Sequence, residues 1–308
     1  TSSSIIIGEK DNNNSTFTVK LNSQPTGIVV LNLNDNSTSE FTYSPGSLTF
    51  SPDNWSIAQI VTVTSKDNDV DELADNQTST ITVTVDNTTT DDSVYSGGSS
   101  TGSSDGGSGG STGSGSSGIT KTITVTTTDN DVAGFTIAET GSETSVTEGG
   151  GTDTFTVKLN SKPTSSVTVN LSVNGSDEFT VSNSLTFDQT NWNDLQNVTV
   201  TGSNDDVADG DQSGTLTVSS SSSGDSKYDG LSKAVTVTTT DDDTVGLVVS
   251  SSTVTVGETG STGIFTVKLQ SEPTSSVTVN LSVNGSDEFT VSNSLTFDQT
   301  NWNDLQNV

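Results

Sequence analysis

The residues of this sequence best equipped for chemistry are carboxylates, and they fall in three recurring sets. A single glutamate precedes a strand-like run: Glu9, Glu148 and Glu258. A second set follows a later strand, as SKDNDVDE at 65–72 and GSNDDVADGD at 202–211. The third closes a Thr/Val-rich strand, as TTTDNDVAG at 126–134 and TTTDDDTVG at 238–246. Two unit charges about 4 Å apart repel by about 4 kcal/mol at an effective dielectric near 20. Four or five carboxylates in one place are therefore unfavourable unless a cation joins them. Ca²⁺ suits such a set, since it takes about six to eight oxygen ligands from Asp, Glu, Asn and backbone carbonyls. The sequence has no histidine and no cysteine, which disfavours zinc, copper and iron. Mg²⁺ keeps its waters and demands a stricter octahedron. An EF-hand does not fit: Asp67, Asp69 and Asp71 alternate, but the sixth position is Glu72 rather than glycine and no helices flank the loop. A solvated acidic loop is the bland alternative, and recurrence of the sets in register argues against it.

Other chemistries have fewer candidates. Serine and threonine are abundant, but no histidine base or cysteine nucleophile accompanies them. Paired carboxylates could hydrolyse a glycoside, yet these acids recur in each copy instead of forming one cleft. The expectation is that the protein is not an enzyme. Lys20, Lys158 and Lys268 suggest an internal isopeptide cross-link, but they alternate with the apolar residues of their strands and so face solvent. The 39 acidic and nine basic residues give a net charge of −30, which disfavours nucleic acid and anionic membrane as partners. No apolar run approaches the roughly 20 residues that cross a bilayer. No signal peptide opens the sequence, so a mature or internal fragment is expected.

These acids must be positioned by a repeated unit. One 36-residue stretch, PTSSVTVNLSVNGSDEFTVSNSLTFDQTNWNDLQNV, occurs at 163–198 and again unchanged at 273–308. FTVKLN at 17–22 returns as FTVKLN at 155–160 and FTVKLQ at 265–270, and LTFSPDNW at 48–55 matches LTFDQTNW at 185–192. Three copies follow: 1–132, 133–244 and 245–308, the third incomplete and the whole read as part of a longer array. Apolar residues alternate in Phe155–Leu159, in Val167–Val173 and in Val235–Val237. Period two with Val/Thr enrichment means half-buried strands. About seven strands in about 110 residues, separated by Gly/Asn/Asp/Ser turns, predict an antiparallel β-sandwich. Trp55, Trp192 and Trp302 are equivalent packing positions. Copy 1 carries a Ser/Gly-rich insertion at 96–118, expected to be a flexible loop.

The run DNDVAGFTIAETGSETSVTEGGGTDTFTVKLNSKPTSSVTVNL resembles the opening of a Calx-beta domain. The resemblance covers copy 2, most of copy 1 outside the insertion, and the first half of copy 3. It implies tandem Ig-like antiparallel β-sandwiches of a bacterial-type extracellular or cell-surface repeat protein, with clustered Ca²⁺ at one end of each sandwich. Carried onto this sequence, it implies ligand roles for Glu148, Asp205, Asp206, Asp209, Asp241, Asp242 and Asp243 in copy 2. In copy 1 it implies Glu9, Asp67, Asp69, Glu72, Asp129 and Asp131. Copy 3 retains Glu258. The loop SVNGSDEF leaves open whether Asp177 or Glu178 reaches the site. Asn68, Asn130 and Asn204 stand where carboxylates could, which implies modest affinity. The expected function is a rod, fibre or adhesin stalk in which Ca²⁺ rigidifies the joints between repeats. Its partners would be calcium, neighbouring repeats and other copies in a fibre or matrix. The rival is a Ca²⁺-dependent carbohydrate- or receptor-binding adhesion module, which a cluster of exposed aromatics would favour; aromatics are 5% of the chain. The T-x-T strands suggest ice binding, but two such strands are too few.

Overall fold

The computed structural model describes residues 4–10, 13–36, 40–72, 74, 76–97, 118–222, 224–285, 287–292 and 294–308. Residues 98–117, nearly all of the Ser/Gly-rich insertion, lie outside the described residues. The chain is all-β and divides into two compact units, Thr1–Ala133 and Gly134–Val308.

In the first unit the strands are β1 (Ser4–Gly8), β2 (Asn14–Val19), β3 (Val29–Asp35), β4 (Phe41–Ser44), β5 (Ser47–Phe50), β6 (Gln59–Ser65), β7 (Asn76–Val85) and β8 (Thr120–Thr128). They form two sheets, β1-β8-β7-β3-β5 and β2-β6-β4. Alternation turns Val29, Leu31 and Leu33 of β3 and Val61 and Val63 of β6 into one core with Phe17, Phe41 and Phe50.

The second unit repeats this plan. Its strands are β9 (Phe135–Glu139), β10 (Thr144–Thr147), β11 (Thr152–Leu159), β12 (Val167–Asn174), β13 (Phe179–Val181), β14 (Leu185–Phe187), β15 (Gln196–Gly202), β16 (Gln212–Ser221) and β17 (Ser232–Thr240). The sheets are β10-β17-β16-β12-β14 and β13-β15-β11-β9. Copy 3 adds β18 (Leu247–Val249), β19 (Thr266–Leu269), β20 (Val277–Asn280), β21 (Ser294–Phe297) and β22 (Gln306–Asn307). These pair as β18-β19-β22 and β20-β21, around Val267, Leu269, Leu295 and Phe297.

One feature departs from an all-antiparallel sandwich. β1 pairs with β8, and β10 with β17, in parallel. In copy 2 the chain leaves β9 on one sheet and joins the other as β10, turning through Thr140–Ser142, where Gly141 takes φ 72°. The parallel edge makes β1 and β8, and likewise β10 and β17, finish together. Gly8 lies opposite Thr128, and Thr147 opposite Thr240. The residue after each of these strands therefore emerges beside its partner: Glu9 beside Asp129, and Glu148 beside Asp241. Phe41 opposite Ser65 and Asn76 opposite Thr128 bring the start of β4 and the β6–β7 loop to the same end.

The far end of copy 2 is fastened by a buried tyrosine. Tyr228 is 1% exposed. Its hydroxyl accepts from Ser161 N at 3.0 Å, donates to Ser161 O at 2.6 Å and lies 2.9 Å from Ser161 Oγ. Beside it, Asp225 Oδ2 accepts from Thr164 N at 2.8 Å. Tyr228→Phe leaves buried groups of Ser161 without their partner and is expected to cost about 2 kcal/mol in urea denaturation. An unchanged midpoint would show that the hydroxyl contributes nothing.

Candidate metal centre

Copy 1 gathers five carboxylates at the end set by the parallel edge. Carboxylate oxygens of Glu9, Asp129 and Asp131 lie within 4.8 Å of one another, and so do those of Glu9, Glu40 and Glu72. Glu9, 1% exposed, belongs to both groups. Its backbone is fixed by Glu9 N donating to Thr128 O at 2.9 Å. The loop after β6 is tied to the last strand, with Glu72 N donating to Asp129 Oδ2 at 3.0 Å and Ala133 N to Asp71 Oδ2 at 2.6 Å. Asp131 N donates to Asp129 Oδ1 at 2.7 Å. Asn68 Nδ2 donates to Glu9 Oε1 at 2.6 Å and to Glu72 Oε1 at 2.8 Å. The amide dipole thus offsets part of the repulsion between two acids.

Copy 2 builds the same arrangement, again from five carboxylates. Glu148, Glu178 and Asp205 form one group within 4.8 Å, and Glu148, Asp241 and Asp243 the other. Glu148 is 4% exposed and is shared. Asp241 Oδ2 accepts from Gly210 N at 2.6 Å and Oδ1 from Asp243 N at 2.8 Å. Ser203 N donates to Glu178 O at 2.8 Å, holding the start of β13 against the acidic loop. Gly149 turns the chain at φ 72°, and a Cβ there would stand 3.3 Å from Asp242 Oδ2 and 3.4 Å from Asn204 Oδ1. Aligning the two loops places Asn68 opposite Asp205 and Glu72 opposite Asp209.

Charge and burial together perturb these acids. Burial, then the charges of Glu72, Glu40, Asp129 and Asp131, push Glu9 up to about 8. Burial, then Asp205, Asp241, Glu178 and Asp242, push Glu148 up to about 7. Asp131 is pushed up to about 6 by burial and then by Asp67, Asp129, Asp69 and Asp71. Burial raises Glu72, Glu178 and Asp243 as well. Among the described residues, Glu72 Oε2, Asp131 Oδ2, Glu148 Oε2 and Asp243 Oδ2 are buried without a hydrogen-bond partner. Buried acceptors normally have one. Converging, unpartnered, all-oxygen donors fit a hard cation.

Several sequence-derived residues lie around these groups without joining them. Asp67, Asp69, Asp206, Asp209 and Asp242 are exposed. Their charges still reach the centre: Asp67 and Asp69 raise Asp131, Asp209 raises Glu178, and Asp206 and Asp242 raise Asp243. Glu258 is exposed and joins no such group among the described residues. Glu40 is an addition that sequence reasoning missed, and Glu178 is the member of the Asp177/Glu178 pair that joins a group. The signal was the triplet Glu-Phe-Thr ahead of a strand at 40–42, repeated at 178–180 and 288–290.

No family model matches the chain, and no curated protein does. Solved structures resemble it only distantly. The calcium binding domain CBD12 of CALX1.1 is 13% identical, with 71% of this chain and 77% of that one covered and a TM-score of 0.28. Protocadherin gamma B7 extracellular cadherin domains 1–4 are 11% identical, covering 90% and 60% with a TM-score of 0.32. The YadV chaperone is 7% identical, covering 77% and 97% with a TM-score of 0.28. At such distances no family, ligand or partner transfers to this chain.

Proposed function

We propose that the chain is a Ca²⁺-binding structural repeat protein of the extracellular space or cell surface, forming part of a rod, fibre or adhesin stalk. The observation that carries this reading is the recurrence, at one end of two repeats, of a buried glutamate shared between two carboxylate groups. Glu148, Glu178, Asp205, Asp241 and Asp243 would hold the ion in copy 2, and Glu9, Glu40, Glu72, Asp129 and Asp131 in copy 1. Asp67, Asp69, Asp206, Asp209 and Asp242 add negative potential around the entrance. Bound Ca²⁺ would supply the charge neutralisation that the folded chain lacks. The role is mechanical, not catalytic.

The acids of copy 2 run straight into copy 3, since Asp243 is four residues from Leu247 of β18. Glu272 N of copy 3 donates to Asp206 O in the acidic loop at 2.6 Å. A cation that orders this loop would also order the joint. Calorimetric titration of the full chain should show saturable Ca²⁺ binding. Low-angle scattering should show a narrower distribution of dimensions with Ca²⁺ than with EDTA. Absence of heat together with unchanged scattering would remove the proposal.

The two centres should differ in affinity. Copy 1 has the Asn68 amide where copy 2 has Asp205. Asn68→Asp should tighten Ca²⁺ binding by copy 1 by about tenfold, because ligand charge count sets much of a site's affinity. Calorimetry would show it as two unequal binding phases drawing together. Looser binding in the variant would mean that the amide bridge from Asn68 to Glu9 and Glu72 matters more than the added charge.

A further inference from the structure

Asn174 and Gly175 open the connection that carries Glu178 into the candidate metal centre of copy 2. β12 ends at Asn174 on one sheet, β13 starts at Phe179 on the other, and Gly175–Glu178 join them. The Glu178 carbonyl accepts from Ser203 N at 2.8 Å and from Thr239 Oγ1 at 3.4 Å. With β12 fixed in its sheet, the place of the Glu178 carboxylate depends on the length of this short connection.

The Asn–Gly step is set up for chemistry within the chain. Asn174 and Gly175 are exposed, and Gly175 takes φ 69° with open space where a side chain would stand. Gly175 N donates no hydrogen bond among the described residues. Lacking a Cβ, glycine leaves this nitrogen unshielded. One bond restrains the neighbouring amide: Asn174 Nδ2 donates to Thr217 Oγ1 at 2.6 Å across the β12–β16 pair. Copy 1 has Asn36–Ser37 at the matching place, and Glu40 there takes the part of Glu178. The Asn–Gly pair recurs in copy 3 as Asn284–Gly285.

We propose that Asn174–Gly175 is a self-modification site, and that its product loosens Glu178 from the metal centre. Gly175 N attacks Asn174 Cγ and closes a succinimide ring, while Nδ2 leaves as ammonia with the proton from Gly175 N. Water then opens the ring at one of its two carbonyls. Opening at Cγ gives aspartate. Opening at the main-chain carbonyl gives isoaspartate, in which the chain runs through Cβ and Cγ and the connection is longer by a methylene. The modification itself is independent of metal binding, whereas its effect on Ca²⁺ rests on the calcium reading above.

The test ages the full chain in EDTA at mildly alkaline pH and maps its peptides by mass spectrometry. Asn174 should convert from amide to acid roughly tenfold faster than Asn36, whose following serine shields its nitrogen with a Cβ. An isoaspartate methyltransferase should label the product. Thr217→Val frees the Asn174 amide and should speed the change, and Asn174→Gln should block it. In aged protein, hydrogen exchange should quicken at the amides of β13, and Ca²⁺ binding by copy 2 should weaken by about tenfold with the displaced ligand. Asn174→Gln aged in parallel should keep both properties of fresh protein. Asn174→Asp carries the new charge without the longer chain and should leave exchange at β13 unchanged. Conversion of Asn174 no faster than that of Asn36 overturns the proposal, and so does exchange at β13 that is the same in aged protein and in aged Asn174→Gln. Fresh protein that binds no Ca²⁺ would sink the calcium reading alone, because exchange at β13 reports the loosening without metal.

Discussion

Glu148→Gln is expected to raise the stability of the calcium-free protein and to weaken Ca²⁺ binding in the same molecule. Glu148 is the carboxylate common to both groups of copy 2, with Asp205, Asp241, Glu178 and Asp242 as its charged surroundings. Its charge is costly when no cation is present, because burial and four neighbours all oppose it. Glutamine keeps the shape, removes the charge and offers an amide to the remaining acids, as Asn68 does to Glu9 and Glu72 in copy 1. The melting temperature in EDTA should therefore rise. Ca²⁺ affinity of copy 2 should fall by roughly one to two orders of magnitude, since charge count and rigidity tune such sites over several orders. An ordinary structural glutamate would behave differently. Its replacement would lower the melting temperature in EDTA and leave binding untouched, and that pair of results would refute the role assigned to Glu148.

Stability should also fall with rising pH when calcium is absent, the reverse of the usual behaviour of paired carboxylates. Glu9 is pushed up to about 8, Glu148 to about 7 and Asp131 to about 6. A group whose folded-state value lies above its unfolded value binds protons more tightly when folded. Its contribution is fully present below the unfolded value, near 4.5 for glutamate, and is lost as pH rises through the folded value. In EDTA, melting temperature should decline between about pH 4.5 and 8. Ca²⁺ replaces those protons, so its binding should tighten over the same window and release protons. Calorimetry in two buffers of different ionisation heat measures that release. A melting temperature that climbs from pH 5 to 8 in EDTA would contradict the account.

Much of the architecture can be read from alternation alone. Phe155, Val157 and Leu159 fall on every second residue and all face the core. Repetition of FTVKL and LTF marks the same strands in three places. The parallel pairing of β1 with β8 was not legible, because alternation fixes which face is buried but says nothing about the direction of a neighbour. That pairing explains why Glu9 meets Asp129 across more than a hundred residues. Glu40 was obscured for a related reason. It stands alone outside the acid-rich strings, and only the register of β4 on β6 brings it beside Glu9. In the sequence Asn68 stands as a missing carboxylate; its work in the fold, bridging two acids through its amide, depends on a side-chain orientation that sequence does not carry. Glu258 shows the converse. Its residue type and its place match Glu148, but it lies exposed, without the surrounding acids that make Glu148 unusual.

The most direct test of the central claim is a crystal structure of the full chain grown with Ca²⁺, with anomalous differences used to locate the ions. The account predicts anomalous peaks between Glu148, Asp241 and Asp243 and between Glu9, Asp129 and Asp131, with buried oxygens such as Glu148 Oε2 and Asp243 Oδ2 as ligands. Peaks confined to exposed acids such as Asp67 and Asp209, with Glu9 and Glu148 protonated and hydrogen-bonded to their neighbours, would contradict it.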